Sequence, residues 1–154
     1  MGIECERKFL VTGLGYRSGV PHRIRQAYLS LDPGRTVRVR LTEAGAFLTI
    51  KGPGLGVRPE FDYQIPADDA EQMLRALCIR PAIEKTRYTV PVGPFIFEVD
   101  EFAGDNAGLT VAEIELTAHD QEFTRPEWLG MEVTDDPRYS NASLVQRPYR
   151  SWRT

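Results

Sequence analysis

Apolar residues recur at every second position along most of the chain, the spacing that sends side chains to opposite faces of a β-strand. Segments 3–11, 22–30, 35–41, 46–51, 58–65, 83–91, 94–101 and 110–117 carry this alternation. Turn-forming runs part them, among them Asp32-Pro33-Gly34, Ala44-Gly45, Lys51-Gly52-Pro53-Gly54, Pro91-Val92-Gly93-Pro94 and Ala103-Gly104-Asp105-Asn106. The period becomes helical over 68–78. There Asp68 is placed to cap, Glu71 follows three residues later, and Met73, Leu74 and Leu77 make an apolar stripe, with Pro81 ending the region. Short helices are expected at 119–125 and 141–147, with Trp128, Met131, Tyr149 and Trp152 as packing side chains. No repeat, low-complexity tract or linker divides the chain. The pattern predicts one domain over 1–154 of mainly β, α+β class, with about eight strands.

The polar side of these strands is unusual because it is ionised. Glu4, Glu6 and Lys8 share one face, with Ile3, Cys5 and Phe9 opposite. Arg38 and Arg40 alternate with Val37, Val39 and Leu41; Lys51 opposes Leu48 and Ile50; Glu60 and Asp62 oppose Phe61, Tyr63 and Ile65. Lys85 and Arg87, Glu98 and Asp100, and Glu113 and Glu115 repeat the arrangement. One reading is a set of solvated outer faces, since charged residues usually meet water. Against it, the positions are like-charged pairs two residues apart, which repel. Paired carboxylates suit a divalent cation, which takes several oxygen ligands, and paired bases suit phosphate oxygens.

Composition narrows the partners. Nineteen Lys and Arg against 22 Asp and Glu give a net charge of -3 in 154 residues, which argues against binding polynucleotide through a broad basic face. No apolar run reaches the roughly 20 residues of a membrane helix, and the charged start MGIECERKFL does not read as a signal peptide. Cys5 and Cys78 match no zinc spacing and fit a reduced, cytoplasmic protein, with Cys5 read as core. The glycine-rich run after Lys51 lacks the strand-to-helix spacing of a phosphate loop and reads as a hairpin turn. His22 and His119 are isolated and expected at the surface, His22 near a possible anion site beside Arg23 and Arg25.

If eight strands close into a barrel, one face becomes an interior wide enough for one small ligand. The charged positions named above comprise eight acids and six bases, a sum of -2. A linear triphosphate carries about four negative charges. Two divalent cations would turn -2 into +2, so an anionic substrate fits such an interior together with metal.

These motifs in this order resemble the triphosphate tunnel metalloenzymes, the CYTH superfamily. The signature Glu-x-Glu-x-Lys stands as Glu4-Cys5-Glu6-Arg7-Lys8. It is followed by VRVRL (37–41), LTIKG (48–52), RPEFDYQI (58–65), IEKTRYTV (83–90), FEVDEFAG (97–104) and VAEIEL (111–116), with a looser match in 130–144. The short form is most similar to the compact bacterial inorganic triphosphatases. The resemblance implies an eight-stranded antiparallel β-barrel forming a tunnel with flanking helices, and Mg²⁺- or Mn²⁺-dependent action on triphosphates with two ions. By the same resemblance, Glu4 and Glu6 would ligate one metal and Asp100, Glu113 and Glu115 another. Arg38, Arg40, Lys51, Lys85 and Arg87 would grip phosphate, and Lys8 would orient or deprotonate the attacking water. Glu60 and Glu98 fit supporting roles. Asp62 stands where relatives often carry Glu, and Tyr28 would narrow one tunnel end. For Lys8, burial would favour a neutral base and flanking carboxylates a charged, positioning amine. The expected reaction is hydrolysis of tripolyphosphate to diphosphate and phosphate. Adenylate cyclase action on ATP, hydrolysis of thiamine triphosphate or another organic triphosphate, and a non-enzymatic polyphosphate-binding module are the alternatives.

Overall fold

The computed structural model describes residues 2–152. Nine strands form one antiparallel sheet among them: β1 (Gly2–Val11), β2 (Val20–Ser30), β3 (Thr36–Thr42), β4 (Gly45–Lys51), β5 (Val57–Ile65), β6 (Ile79–Val92), β7 (Phe95–Phe102), β8 (Thr110–Glu115) and β9 (Leu129–Glu132). Neighbours run β5-β4-β3-β2-β6-β7-β8-β1, and β1 returns to β5 through Gly2↔Glu60 to Cys5↔Val57. Eight strands therefore close on themselves: the alternation predicts their number, and the resemblance implies the closed barrel. Closure removes most free edge and leaves an inside and an outside that the pleat fills alternately. The short β9, which the pattern did not show, extends the far end of β1.

The apolar sides of the strands point outward. Phe9, Phe97, Val99, Ala112 and Ile114 are fully buried beneath the segment that includes Phe123 and Trp128, with Tyr16 packed beside them. Phe123 sits edge-on to Phe9 and Phe97 at 5.9 and 5.8 Å between ring centroids. This anchoring, with Pro126 just beyond, keeps 119–125 irregular where a short helix is expected from the pattern. On the opposite flank α1 (Ala67–Ala76) lays Ala70, Met73 and Leu74 on Val39, Ala46 and Leu48.

The helix differs in detail from the expectation of 68–78. Pro66, with its φ of -60°, occupies the N-cap without a side-chain cap, and Glu71 pairs with Arg25 at 2.6 Å rather than closing a capping box. The helix ends at Ala76, so Leu77 leaves the stripe and is 68% exposed. Pro81 lies inside β6 rather than at a boundary. Met131 is 66% exposed and does not pack, because it sits on the short outer strand β9. Trp128, Tyr149 and Trp152 pack as expected. Cys5 is core, and both cysteines are free thiols.

The second expected C-terminal helix is α2 (Asn141–Gln146), capped by Ser140, whose hydroxyl accepts from the Ser143 amide at 3.2 Å. It carries Leu144 and Val145 into a cluster with Tyr28, Ile83, Phe102 and Val111. Those four share strand faces with the charged positions, so α2 fills one end of the barrel with apolar side chains and the charges occupy the rest. Replacing Phe97 by Ala should lower stability by about 3–5 kcal/mol, read as a reduced urea midpoint with an unchanged slope. A shift under about 1 kcal/mol would show that the outer cluster is not the core of the fold.

Candidate active site

The inward faces bound a cavity of about 640 Å³. Its walls hold seven carboxylates (Glu4, Glu6, Glu60, Asp62, Glu98, Glu113, Glu115) and seven cationic side chains (Lys8, Arg38, Arg40, Lys51, Arg58, Lys85, Arg87), a net charge of zero. The expected sum of -2 is corrected at two positions. Arg58 lines the cavity and had not been counted, although it alternates with Glu60 and Asp62 on β5; Asp100 does not line it. A second cavity of about 330 Å³ shares Arg38, Arg40, Asp62, Arg87 and Glu98 with the first and extends to His22, Thr42 and Phe47. His22 is exposed there, as its isolation implies, and His119 lies at the surface.

Asp100 is 0% exposed. Its oxygens accept from Lys85 Nζ at 2.7 Å and from Arg87 Nε and Nη2 at 2.7 and 2.9 Å. Burial alone would raise its carboxyl, but Arg87 and Lys85 outweigh burial and hold it at about 2. The residue that the resemblance places among metal ligands therefore stands behind the wall, with its oxygens on two bases. Burial lowers Lys85 to about 7 against the pull of Asp100, with the Arg87 and Arg40 charges adding to the lowering. A comparable clamp joins Glu4 to Lys51 at 2.8 Å and to Arg58 at 3.1 Å, with Glu60 3.5 Å from Lys51. These bases overcome the burial of Glu4 and keep its carboxyl below the ordinary range.

Glu98 pairs with Arg87 Nη1 at 3.1 Å. Glu6, Lys8, Arg38, Arg40, Asp62, Glu113 and Glu115 form no ion pair among the described residues, and the acids of β1 and β8 are segregated from the arginines of β3. Glu6, Glu113 and Glu115 lie on β1 and β8, which pair as Glu6↔Glu115 and Lys8↔Glu113. Burial, then the Glu113 and Glu4 charges, push the Glu6 carboxyl well up. Burial also opposes ionisation of Glu113, but Lys8, the Glu6 hydrogen bond, Arg87 and Lys85 hold it well below the usual range. Partial burial together with Glu4, Glu60 and Glu98 raises Glu115. Across the barrel, four strands from β8 and three from β1 in the ring, stand Arg38 and Arg40 on β3. Arg38 donates from Nη2 to Thr49 Oγ1 at 3.1 Å, and its buried Nε has no partner among the described residues. Arg40 donates from Nε to Gln26 Oε1 at 2.8 Å; burial, then Arg38 and Arg87, lower it to about 9. Lys8 Nζ donates to the Tyr139 carbonyl at 3.3 Å.

The lumen thus has a carboxylate wall short of cations and a guanidinium wall short of anions. Each wall repels itself, and each is relieved by a ligand of the opposite sign. Among the described residues no three His, Cys, Asp or Glu side chains converge closely enough to hold a metal by themselves. The arrangement therefore suits an anion and cations entering together. Tyr28 is buried at the apolar end of the cavity, and Glu60, Asp62 and Glu98 line it. Asp62 accepts from Thr49 at 2.7 Å, which ties it to Arg38. Gln26, Thr49 and Asn141 were not singled out in the sequence. Gln26 and Thr49 could have been found by extending the alternation inward by two residues from Tyr28 and Lys51, but nothing local marks Asn141, which arrives from the C-terminal helix.

The CYTH domain profile matches residues 2–149. A protein of Acetivibrio thermocellus named inorganic triphosphatase is 45% identical over 157 residues, covering 99% of each chain. A Nitrosomonas europaea protein of the same name is 40% identical over 150 residues, covering 92% of this chain and 96% of its own. A crystal structure of an inorganic triphosphatase superposes with a TM-score of 0.66 at 34% identity, covering 92% of this chain and 96% of that one.

The clamp around Asp100 gives a stability prediction. A carboxyl lowered from 3.8 to about 2 stabilises the fold above its unfolded value and loses that contribution as pH falls through the folded one. Asp100→Asn leaves Lys85 and Arg87 buried without their anion. It should destabilise the protein by about 3–5 kcal/mol at neutral pH. Urea unfolding should show this gap from wild type narrowing between about pH 4 and pH 2. A gap that stays constant over that range would rule out the charge of Asp100 as its source.

Proposed function

This chain belongs to the CYTH domain family, and from that premise we propose that it is an inorganic triphosphatase, hydrolysing tripolyphosphate to diphosphate and phosphate inside its barrel. The observation that carries the reading is the segregation of unneutralised charge, with Arg38 and Arg40 facing Glu6, Glu113 and Glu115 across a lumen of net zero charge. A triphosphate of about -4 with two divalent cations of +4 leaves that balance at zero, whereas either alone would unbalance it by four charges.

The carboxylate wall offers the hard oxygen donors that Mg²⁺ or Mn²⁺ prefers. Glu6, Glu113 and Glu115 would hold the ions, with Glu4 beside them on β1. The protonation favoured at Glu6 by burial and by its acidic neighbours is what a cation there would displace. Bound metal supplies neutralisation of the phosphate oxygens and polarisation of water.

The chain's own residues do the rest. The guanidiniums of Arg38 and Arg40 grip the phosphate chain with forked donors. The spare Nε of Arg38 gains there the partner it lacks. Arg87 and Lys85, kept in place by Asp100, extend this basic wall between β3 and β7. Lys51 and Arg58, clamped on Glu4, border the lumen on the β4 and β5 side. Lys8 has one donor on the Tyr139 carbonyl and two more to spare, and its backbone pairs with Glu113 on the neighbouring acid wall. We assign it to holding the attacking water in line with a terminal phosphorus. Phosphoryl transfer of this kind depends mainly on positioning and on stabilising charge.

Purified protein should release phosphate from tripolyphosphate with Mg²⁺ faster than from ATP, and a chelator should stop it. Lys8→Ala and Glu115→Ala should each reduce turnover by at least about 100-fold while melting cooperatively like wild type. Turnover that survives chelation, or near wild-type rates in either variant, would overturn this reading. Cyclic AMP formed from ATP would move the protein to the cyclase reaction.

A further inference from the structure

Two cations of the basic wall donate to side-chain amides: Arg40, which has no carboxylate partner among the described residues, and Lys85, which has one in Asp100. Arg40 Nε donates to Gln26 Oε1 at 2.8 Å. Because a guanidinium only donates, Gln26 must present its oxygen to Arg40 and its nitrogen elsewhere. That nitrogen donates to Asn141 Oδ1 at 2.9 Å. Lys85 Nζ, also only a donor while charged, reaches the same Oδ1 at 3.0 Å. The chain Arg40–Gln26–Asn141–Lys85 therefore has one consistent orientation, and Gln26 at its centre is 0% exposed. It joins β3, β2, α2 and β6.

With its oxygen taken twice, the Asn141 carboxamide can turn in only one sense. Its Nδ2 donates to nothing among the described residues, and Asn141 lines the main cavity alongside Lys85 and Arg87. We propose that Asn141 is a substrate-binding residue whose amide group, aimed by Gln26 and Lys85, donates to an oxygen of the phosphate chain. This inference rests on the triphosphatase reading for its ligand. An uncharged donor here adds a hydrogen bond without adding to the repulsion among Arg38, Arg40 and Arg87. It also gives α2 a part in the site, because the basic wall has this donor only when the helix is seated.

Two substitutions separate binding from scaffolding. Asn141→Asp keeps an oxygen for Gln26 and Lys85 but turns the donor into a second anionic oxygen. Asn141→Ala removes the donor without adding charge. Steady-state hydrolysis of tripolyphosphate with Mg²⁺ should give a KM raised about 10-fold in Asn141→Ala and further in Asn141→Asp, with kcat within about threefold of wild type. The melting temperature of Asn141→Asp should equal or exceed that of wild type. If Asn141 serves only to hold Lys85, the aspartate does this as well and KM stays put, which overturns the proposal. A rise confined to Asn141→Asp is a charge effect on Lys85 and overturns it too, as does a fall in kcat with unchanged KM. If wild type fails to hydrolyse tripolyphosphate, the triphosphatase reading falls. Calorimetric titration of the same three proteins with tripolyphosphate and Mg²⁺ then decides Asn141: the same ranking in Kd upholds it, and equal affinities or no binding overturn it.

Discussion

Turning ionised side chains into a closed barrel is the constraint from which the rest of this structure follows. A charge moved out of water costs several kcal/mol unless a partner of opposite sign meets it. Asp100, with no accessible surface, meets that condition by taking Lys85 and Arg87 together, across the register pair Arg87↔Asp100 of β6 and β7. The same condition fixes the strand register. A slip of one residue would turn Lys85 and Asp100 outward into the aromatic cluster and bring Phe97 and Val99 inward. Register and charge pairing specify each other, so the barrel has one arrangement that leaves neither charges in the apolar layer nor apolar side chains among the charges.

Because charge occupies the lumen, the hydrophobic core has to be assembled outside it. An eight-stranded barrel commonly fills its interior with side chains, and here only the end under α2 is filled in that way. The burial that stabilises the fold comes instead from two coverings on the outer wall. The segment bearing Phe123 and Trp128 lies over β1, β7 and β8; α1 lies over β3 and β4. These coverings are therefore part of the site's mechanics. They supply the apolar burial that offsets the expense of holding a lumen of charges in fixed positions.

The alternation of residues made most of this legible in advance. Like-charged pairs at i and i+2 marked the inner face of six strands, Lys51 alone marked that of β4, and the eighth, β2, was readable from its apolar pattern alone. What local pattern missed has a common cause: contacts brought from far along the chain. Asp68 looked like a cap, but Pro66 takes the N-cap two residues earlier, and Glu71 is drawn to Arg25 on β2. Residues 119–125 have helical spacing, yet Phe123 is pinned among Phe9, Phe95 and Phe97. Asp100 shares a strand face with Glu98, so alternation cannot tell them apart. Its place one step nearer the plugged end of the barrel puts it behind Lys85 and Arg87. Asn141 follows no period at all, since a helix from the C-terminal region delivers it.

Which cations can act on a ligand is decided by what already neutralises them. Lys51, Arg58, Lys85 and Arg87 each have a carboxylate within 3.1 Å, so an incoming anion competes with a fixed partner for their charge. Arg38 and Arg40 have a hydroxyl and an amide instead. A dipole of this kind orients a guanidinium without cancelling it, which leaves the full charge of β3 directed into the lumen. The opposite wall follows the same logic in reverse: Glu6 and Glu113 form no ion pair among the described residues, and burial and their mutual influence raise the Glu6 carboxyl while Lys8 acts against burial to lower that of Glu113. Carboxylate-paired bases build the frame, and dipole-paired ones keep their charge for the ligand. By that rule the lumen's uncancelled positive charge centres on β3, while its uncancelled negative charge centres on β1 and β8.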